Sequence, residues 1–316
     1  MSHRDEIGPA ALQALLSRRQ LSDAPVILLG MHRSGTTLLA QILDAAGVYM
    51  GSRLSGNHEP RLFQDANRHA LDFFGCSWCR VDGLPSASAL KLGYASLVNA
   101  LGERLVQDIE HGFLDGCETT HTQWGWKDPR NCLTAPLYLR LFPQARAFFI
   151  FRRARAVVDS MLTRNRRLLA KNPLPDGPRD IAGALDERAA YALWDLYNSR
   201  ALEVLPCFRQ AIAVCYEDLV DSPGREIARV LDELRFDAAR PPSALAAMVR
   251  RAGAPTPAGV RDGDAGEEPR EAVEIYRRLR ARTLGQMRER LQAIMKEQGD
   301  QGRVYGNPRL LSKAGQ

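Results

Sequence analysis

The chain has 316 residues, of which 45% are hydrophobic and 25% are charged, a globular composition that excludes fibrous and wholly disordered classes. Its 43 lysine and arginine residues outnumber 37 acidic residues, and this surplus of +6 is too diffuse to indicate a polynucleotide partner. Six cysteines in a chain of this length do not indicate a disulfide scaffold, and no apolar run approaches the roughly 20 residues of a membrane helix. We therefore expect a cytoplasmic protein with reduced cysteines, no secretory signal and no integral membrane segment.

Short apolar runs predict buried strands, and apolar residues at helical spacing predict the helices between them. In chain order the predicted elements are a helix around Leu12–Leu16, a strand at Val26–Leu29, helices at Thr36–Ala46 and Leu97–Phe113, a strand at Gln123–Trp126, a helix at Thr134–Phe142, a strand at Ala147–Phe151, helices at Val157–Leu169 and Arg188–Leu205, a strand at Ile212–Tyr216, and helices at Arg225–Leu234 and Ala272–Met295. This alternation predicts an α/β fold with a parallel β-sheet flanked by helices on both faces.

The predicted organisation is a single domain with helical insertions. It spans residues 25–297, with an N-terminal helical extension at 1–24 and a basic C-terminal tail at 298–316. Two segments rich in proline, glycine or acidic residues, 172–180 and 252–270, interrupt the alternation of strands and helices. They predict long surface loops, which are either lids over a site or solvated insertions.

The segment Gly30–Thr37, with the sequence GMHRSGTT, follows the first strand and opens a helix. Backbone N–H groups at such a turn, together with the positive end of the helix, form a cradle for an anion. The spacing matches the P-loop pattern, except that Thr36 stands where that pattern has lysine and the nearby cation is Arg33. Because a nucleoside triphosphate needs that lysine, the loop suits a terminal phosphate or phosphosulfate held by Arg33, Ser34, Gly35, Thr36 and Thr37. The alternative is a tight structural turn.

A second anion site is predicted at the end of another strand. Arg152 directly ends the strand Ala147–Phe151, where ligands of open α/β sheets bind, and Ser160 follows eight residues later. The other arginines up to Arg167 either line an entrance for an anionic substrate or form a solvated helix face. Two separate phosphate sites suit a nucleotide with phosphates at both its 5′ and 3′ positions, of which 3′-phosphoadenosine 5′-phosphosulfate (PAPS) is the best-known example.

These motifs resemble the PAPS-dependent sulfotransferase superfamily, in particular its bacterial and tyrosylprotein sulfotransferase branches. The stretch Arg33–Thr37 fits the family's 5′-phosphosulfate loop, and Arg152 with Ser160 fits its 3′-phosphate motif. Trp126–Arg130 is similar to a Lys-Asp-Pro segment of those branches, and Tyr216–Leu219 is similar to their Tyr-Glu-Asp-Leu segment. The sequence departs from the family where Arg-Ala follows Arg152 in place of [ND]-Pro, and no Arg-Lys-Gly segment is evident near its C-terminus.

The resemblance implies in-line, metal-independent transfer of a sulfuryl group from PAPS to a hydroxyl or amine. In that reaction Arg33 would stabilise the leaving 5′-phosphate and Lys127 would be a second cation on the sulfuryl group; the alternative is that Lys127 is an ordinary strand-end lysine. Glu59 is the first candidate for the base and His58 the second, because related sequences use either residue type near this position. Asp65 and Asp128 are further carboxylates, and Asp128 alternatively orients Lys127. Small-molecule, glycan, lipid and peptide acceptors all stay open, and no nucleic-acid polymer is expected.

Two other functions are weighed against this hypothesis. A P-loop kinase or phosphotransferase that uses ATP is disfavoured by the missing lysine. A non-catalytic basic protein that binds phosphate or nucleic acid would carry interleaved aromatic residues, which the segment Arg152–Arg167 lacks. Cys76 and Cys79 form a CxxC pair without a second pair, so the sequence indicates neither a metal site nor a redox centre.

Overall fold

The structure is a computed structural model that describes residues 7–115, 123–171, 186–234, 239–252, 268–283 and 285–286. The predicted loop at 172–180, residues 253–267 of the second predicted loop and the tail at 298–316 lie outside these ranges. Within the described residues, no helix combines the length and the apolar character that crossing a membrane requires.

Four parallel strands form one sheet at the centre of the molecule. They are β1 (Val26–Leu29), β2 (Gly125–Lys127), β3 (Arg146–Phe151) and β4 (Gln210–Cys215), in the order β2-β1-β3-β4. Ile27 pairs with Trp126 on one side and with Ala147 on the other. Because helices cover both faces, the strands are buried and contain nearly continuous apolar runs. The predicted parallel α/β sheet is confirmed.

Helices account for most of the remaining described residues. They are α1 (Ile7–Arg18), α2 (Thr36–Ala46), α3 (Arg61–Asp72), α4 (Ala87–Leu92), α5 (Ala95–Gly112), α6 (Asn131–Leu141), α7 (Ala154–Lys171), α8 (Glu187–Val204), α9 (Tyr216–Asp221), α10 (Pro223–Leu234) and α11 (Pro242–Arg251), followed by α12 over residues 270–283. A short 3₁₀ turn, Leu205–Cys207, precedes β4.

Alternate strand residues face two separate hydrophobic cores, as the period of two along a strand requires. Ile27 and Leu29 of β1 pack into the larger core, together with helices α1, α3, α5, α6, α7 and α8. Val26 and Leu28 face the smaller core, which α2, α10 and α11 cover. The helices therefore fix the sheet from both sides and leave the carboxyl ends of its strands to form a site.

Most predicted elements are present, and α2 has the predicted bounds. The prediction that Tyr216 ends a strand is wrong, because β4 stops at Cys215 and Tyr216 begins α9. Helices α3, α4, α9 and α11 were not predicted. Helix α3 nevertheless has a clear amphipathic pattern, since its buried residues recur at helical spacing: Leu62, Phe63, Ala66, Asn67, Ala70 and Leu71.

Candidate active site

The loop between β1 and α2 has a backbone that only glycine can form at two positions. Gly30 and Gly35 have φ angles of 149° and 94°. A Cβ atom at Gly35 would lie 2.4 Å from the ring of Tyr216, and one at Gly30 would lie 2.5 Å from the carbonyl oxygen of Ile150. Arg33 also adopts a left-handed conformation, with φ of 71°, which costs about 1 to 3 kcal/mol for a non-glycine residue. The fold therefore holds this loop in a shape that the chain alone would not prefer.

The polar groups of this loop differ in whether they already have hydrogen-bond partners within the protein. The hydroxyl of Ser34 is fully buried and has no hydrogen-bond partner among the described residues. Leaving such a group unpaired costs about 1 to 3 kcal/mol, so an anion that accepts its hydrogen bond would remove that penalty. By contrast, the N–H of Gly30 donates to Sγ of Cys132 at 3.2 Å, and Oγ1 of Thr37 donates to the carbonyl oxygen of Asn57 at 3.1 Å.

The two predicted anion motifs meet in space. Nε of Arg33 donates to Oγ of Ser160 at 2.9 Å across 127 residues of sequence. Nη1 of Arg152 lies 3.4 Å from the carbonyl oxygen of Arg33, and its guanidinium stacks on the ring of Tyr216 at 4.4 Å from the centroid. The structure thus brings together the loop after β1 and the start of α7, as expected if the two motifs serve one ligand.

Arg33, Arg152 and Arg164 form what we call the arginine cluster. None of the three has a carboxylate within ion-pair distance among the described residues, although Arg155 nearby contacts both Asp159 and Glu187. Burial lowers the pKa of Arg33, and the positive charges of Arg164 and Arg152 lower it further. Like charges held together without counter-ions raise the local positive potential, and a bound phosphate would relieve their repulsion.

Glu59 and Lys127 form a buried ion pair beside the loop. Nζ of Lys127 lies 2.6 Å from Oε1 of Glu59, and the two side chains are 2% and 6% exposed. Burial lowers the pKa of Lys127, while the charge of Glu59 opposes that shift. The pair joins the segment just before α3 to β2, and the stacked rings of Phe63 on α3 and Trp126 on β2, 4.0 Å apart, add a second contact between these regions.

The two candidate bases have different surroundings. Glu59 contacts Lys127, whereas Nε2 of His58 lies 3.1 Å from Oδ2 of Asp44 on α2. The carbonyl oxygen of Asn57 accepts from Lys127 at 3.0 Å, so this segment is also tied to β2 through its backbone. Of the two candidate bases, Glu59 is therefore the one in contact with Lys127.

The other two predicted carboxylates have different hydrogen-bond partners, although the charge of Asp128 also acts on Lys127. Oδ1 of Asp128 accepts from the backbone N–H and from Nε of Arg130, both at 2.9 Å, and not from Lys127. The expectation that Asp128 alternatively orients Lys127 thus finds no hydrogen bond to support it. Burial raises the pKa of Asp128, although the charge of Arg130 opposes this. Asp65 pairs with Arg68 on the surface of α3.

Sequence reasoning missed the site contacts of three residues. Tyr216 packs on Gly35 and Arg152, and Nε2 of Gln64 donates to Oε2 of Glu59. His32 contacts the rings of Trp78 and Tyr197 at 4.8 and 6.0 Å; burial, followed by the charge of Arg130, lowers its pKa. Gln64 lies in the amphipathic stretch that forms α3, five residues after Glu59, so a helix predicted there would have pointed to it.

Comparison with known proteins places most of the chain in one family. The family model described as "Sulfotransferase family" matches residues 25–239. A relative named "Putative protein-tyrosine sulfotransferase" from Caenorhabditis briggsae is 27% identical over 210 residues, which cover 65% of this chain. The chain spans 63% of the length of that relative.

Two solved structures are among those to which the chain is similar. The sulfotransferase domain of the Synechococcus PCC 7002 olefin synthase is 19% identical with a TM-score of 0.44, and the match covers 80% of this chain and 92% of the domain. Sulfotransferase STF1 of Mycobacterium tuberculosis H37Rv is 17% identical with a TM-score of 0.44, over 86% of this chain and 83% of that one. Because the family model matches well over half of its residues, the chain belongs to the sulfotransferase family.

Proposed function

We propose that this protein transfers a sulfuryl group from PAPS to a hydroxyl or amine group of an acceptor. The observation that carries the proposal is the contact of Arg33 with Ser160 and Arg152, which joins the loop after β1 to the end of β3. It gives one ligand two cationic positions, as a nucleotide with separate 5′ and 3′ phosphates requires. Membership of the sulfotransferase family supports the same activity.

The residues present fit this donor. On the 5′ side, the unpartnered hydroxyl of Ser34 and the N–H groups at the start of α2 face the place where a helix N-terminus binds phosphate. The 5′ group is held by Arg33, Ser34, Gly35, Thr36 and Thr37. On the 3′ side, Arg152 has a buried Nε without a hydrogen-bond partner among the described residues. Ser160 on α7 contacts Arg33, whose carbonyl oxygen lies 3.4 Å from Nη1 of Arg152. Arg164 adds positive charge next to Arg33.

Each charged group has one task in the reaction. When bound, PAPS supplies a sulfuryl group, whose bond to the acceptor oxygen forms as its bond to the 5′-phosphate oxygen breaks, the two oxygens being in line. Arg33 stabilises the negative charge left on the 5′-phosphate, and Lys127 binds an oxygen of the sulfuryl group. Glu59 receives the acceptor proton at Oε1, the oxygen that lies beside Lys127.

The acceptor is chosen by residues around this core, and we propose no single compound. Peptides, glycans, lipids and small molecules with a hydroxyl group all stay candidates. The Caenorhabditis briggsae relative is named for protein tyrosine, so tyrosine-containing peptides are the first acceptors to screen.

The donor is tested by thermal unfolding with PAP, the desulfated product, in the absence of metal. We expect millimolar PAP to raise the melting temperature by several degrees and Mg-ATP to have little effect, because a ligand that binds only the folded state stabilises it. Arg152→Ala should raise the PAP concentration needed for this shift at least tenfold. Arg166→Ala, a change at an exposed arginine on the following helix α7, should leave the shift unchanged. No stabilisation by PAP, or a larger effect of Mg-ATP, would contradict the proposal.

A further inference from the structure

Glu59 has both carboxylate oxygens engaged by different side chains. Oε1 accepts from Nζ of Lys127 at 2.6 Å, and Oε2 accepts from Nε2 of Gln64. Glu59 is 4% exposed as a whole residue, so these protein donors replace the water that would otherwise solvate its charge. Lys127 is a cation that the proposed reaction also uses, whereas Gln64 is a neutral amide without another task in it.

The backbone places Gln64 for this contact. Glu59 precedes Pro60, the residue that caps α3. Gln64 completes the first turn of this helix, where its N–H donates to the carbonyl oxygen of Pro60 at 3.0 Å. Carboxylate and amide are therefore held by one short, regular segment. A hydrogen bond between them limits rotation of the carboxylate about its last side-chain bond.

Helix α3 is itself anchored to the strand that carries the phosphate loop. Asn67, one turn after Gln64, donates to Oδ1 of Asn131 at 3.0 Å, and Nδ2 of Asn131 donates to the carbonyl oxygen of Leu28 on β1 at 3.0 Å. All three residues are fully buried. These buried hydrogen bonds therefore fix the position of α3, and with it that of Glu59, relative to β1, the strand that leads into the loop Gly30–Thr37.

We propose that Gln64 is a positioning residue for Glu59 and keeps Oε1 directed toward the acceptor while Lys127 engages the sulfuryl group. This inference rests on the proposed function, because it takes Glu59 as the base. When Lys127 shares its N–H groups with the sulfuryl oxygens, Gln64 is the donor that still holds the carboxylate. The acceptor proton passes to Oε1, and the charge of Oε2 stays satisfied by the amide.

The test is Gln64→Met, which preserves volume and removes the donor, beside Gln41→Met, a matched change at an exposed glutamine on α2. The measurement is PAP release from PAPS with water, p-nitrophenol or a tyrosyl peptide as acceptor. We expect kcat to fall about tenfold in Gln64→Met, as loss of a hydrogen bond to a charged group implies, with KM for PAPS within about twofold of wild type. Gln41→Met should match wild type.

A double-mutant cycle separates positioning from a structural role. In a Glu59→Gln background, Gln64→Met should have no further effect on kcat, because it acts only through the carboxylate. An equal fall in both backgrounds, or a lower melting temperature with a parallel loss of PAP binding, would overturn the inference. A wild type that binds PAP but turns over no PAPS would overturn it together with the base role. Absence of PAP binding would instead refute the proposed function.

Discussion

The arginine cluster and the Glu59–Lys127 pair lie at the same edge of the sheet, but they differ in whether a carboxylate of the protein neutralises the positive charge. The three arginines are half-exposed or exposed and have no carboxylate partner among the described residues, whereas Lys127 is 2% exposed and contacts a carboxylate at 2.6 Å. Cations without a counter-ion near water indicate where a charged ligand binds. A cation that is buried must be neutralised by the protein itself. Under the proposed function, this difference separates the cations that bind the donor from the pair that takes part in proton transfer.

The largest expected effect on stability is at the buried pair. Lys127→Met leaves the charge of Glu59 buried without its cation, and we expect it to lower the free energy of unfolding by about 3 to 5 kcal/mol. Adding Glu59→Gln should recover more than half of this loss, since the second change removes the unpaired charge. Urea unfolding at equilibrium measures both variants. A loss below about 1 kcal/mol in the single variant would show that the pair is not buried in solution.

At the arginine cluster we expect a small effect on stability and a large effect on turnover. Arg33→Ala removes an exposed cation that lies close to Arg152 and Arg164, so we expect the stability of the free protein to change by less than about 1 kcal/mol. Turnover should fall about 10²- to 10³-fold, the usual effect of removing one group that stabilises charge in a transition state. Steady-state kinetics and urea unfolding check this together. If Arg33→Ala were strongly destabilising with normal turnover, the contrast between the two regions would be wrong.

Gly35→Ala changes the shape of the loop between β1 and α2 without removing any charge. The new Cβ would meet the ring of Tyr216 at 2.4 Å and would occupy a φ of 94°, so we expect a loss of about 1 to 3 kcal/mol in stability and at least tenfold weaker PAP binding. Calorimetric titration with PAP measures the affinity. Gly224→Ala is the matched control, because nothing lies within 4 Å of its Cβ position. Unchanged PAP binding in Gly35→Ala would place the donor away from this loop.

The smallest effect on stability is expected at Asp195 on α8. Among the described residues, this half-buried carboxyl group lies near another negative charge, that of Glu271, rather than near a cation. Burial raises its pKa to about 6, and the charge of Glu271 adds to the shift. The folded state therefore binds this proton more tightly than the unfolded chain, where the pKa is about 3.9, and stability falls as pH rises from about 4 to 6. Asp195→Asn should remove this decline and raise stability at pH 7 by up to about 1 kcal/mol, because water screens a half-exposed group. Melting temperatures from pH 4 to 7 test this; an equal gain at every pH would contradict it.

Local sequence patterns were sufficient for the elements that depend on nearest neighbours. The strand β1 and helix α2 follow from a short apolar run and from apolar residues at helical spacing, and the loop between them follows from its glycines. Helix α3 carries an equally clear pattern of buried residues, although no helix is predicted there. Tyr216 was misassigned because an apolar run does not show where a strand stops and a helix begins.

The sequence by itself determined that Arg33 and Arg152 follow strands, and therefore that they lie at one edge of a parallel sheet. Only the tertiary structure decided which polar side chains meet: Arg33 with Ser160 across 127 residues, Glu59 with Lys127 across 68, and His58 with Asp44 rather than with Lys127. The physical reason is that secondary structure depends on short-range patterns, whereas the partner of a charged side chain depends on how distant segments pack. In the folded protein the arginines thus have no carboxylate partner among the described residues, whereas Glu59 neutralises the charge of Lys127.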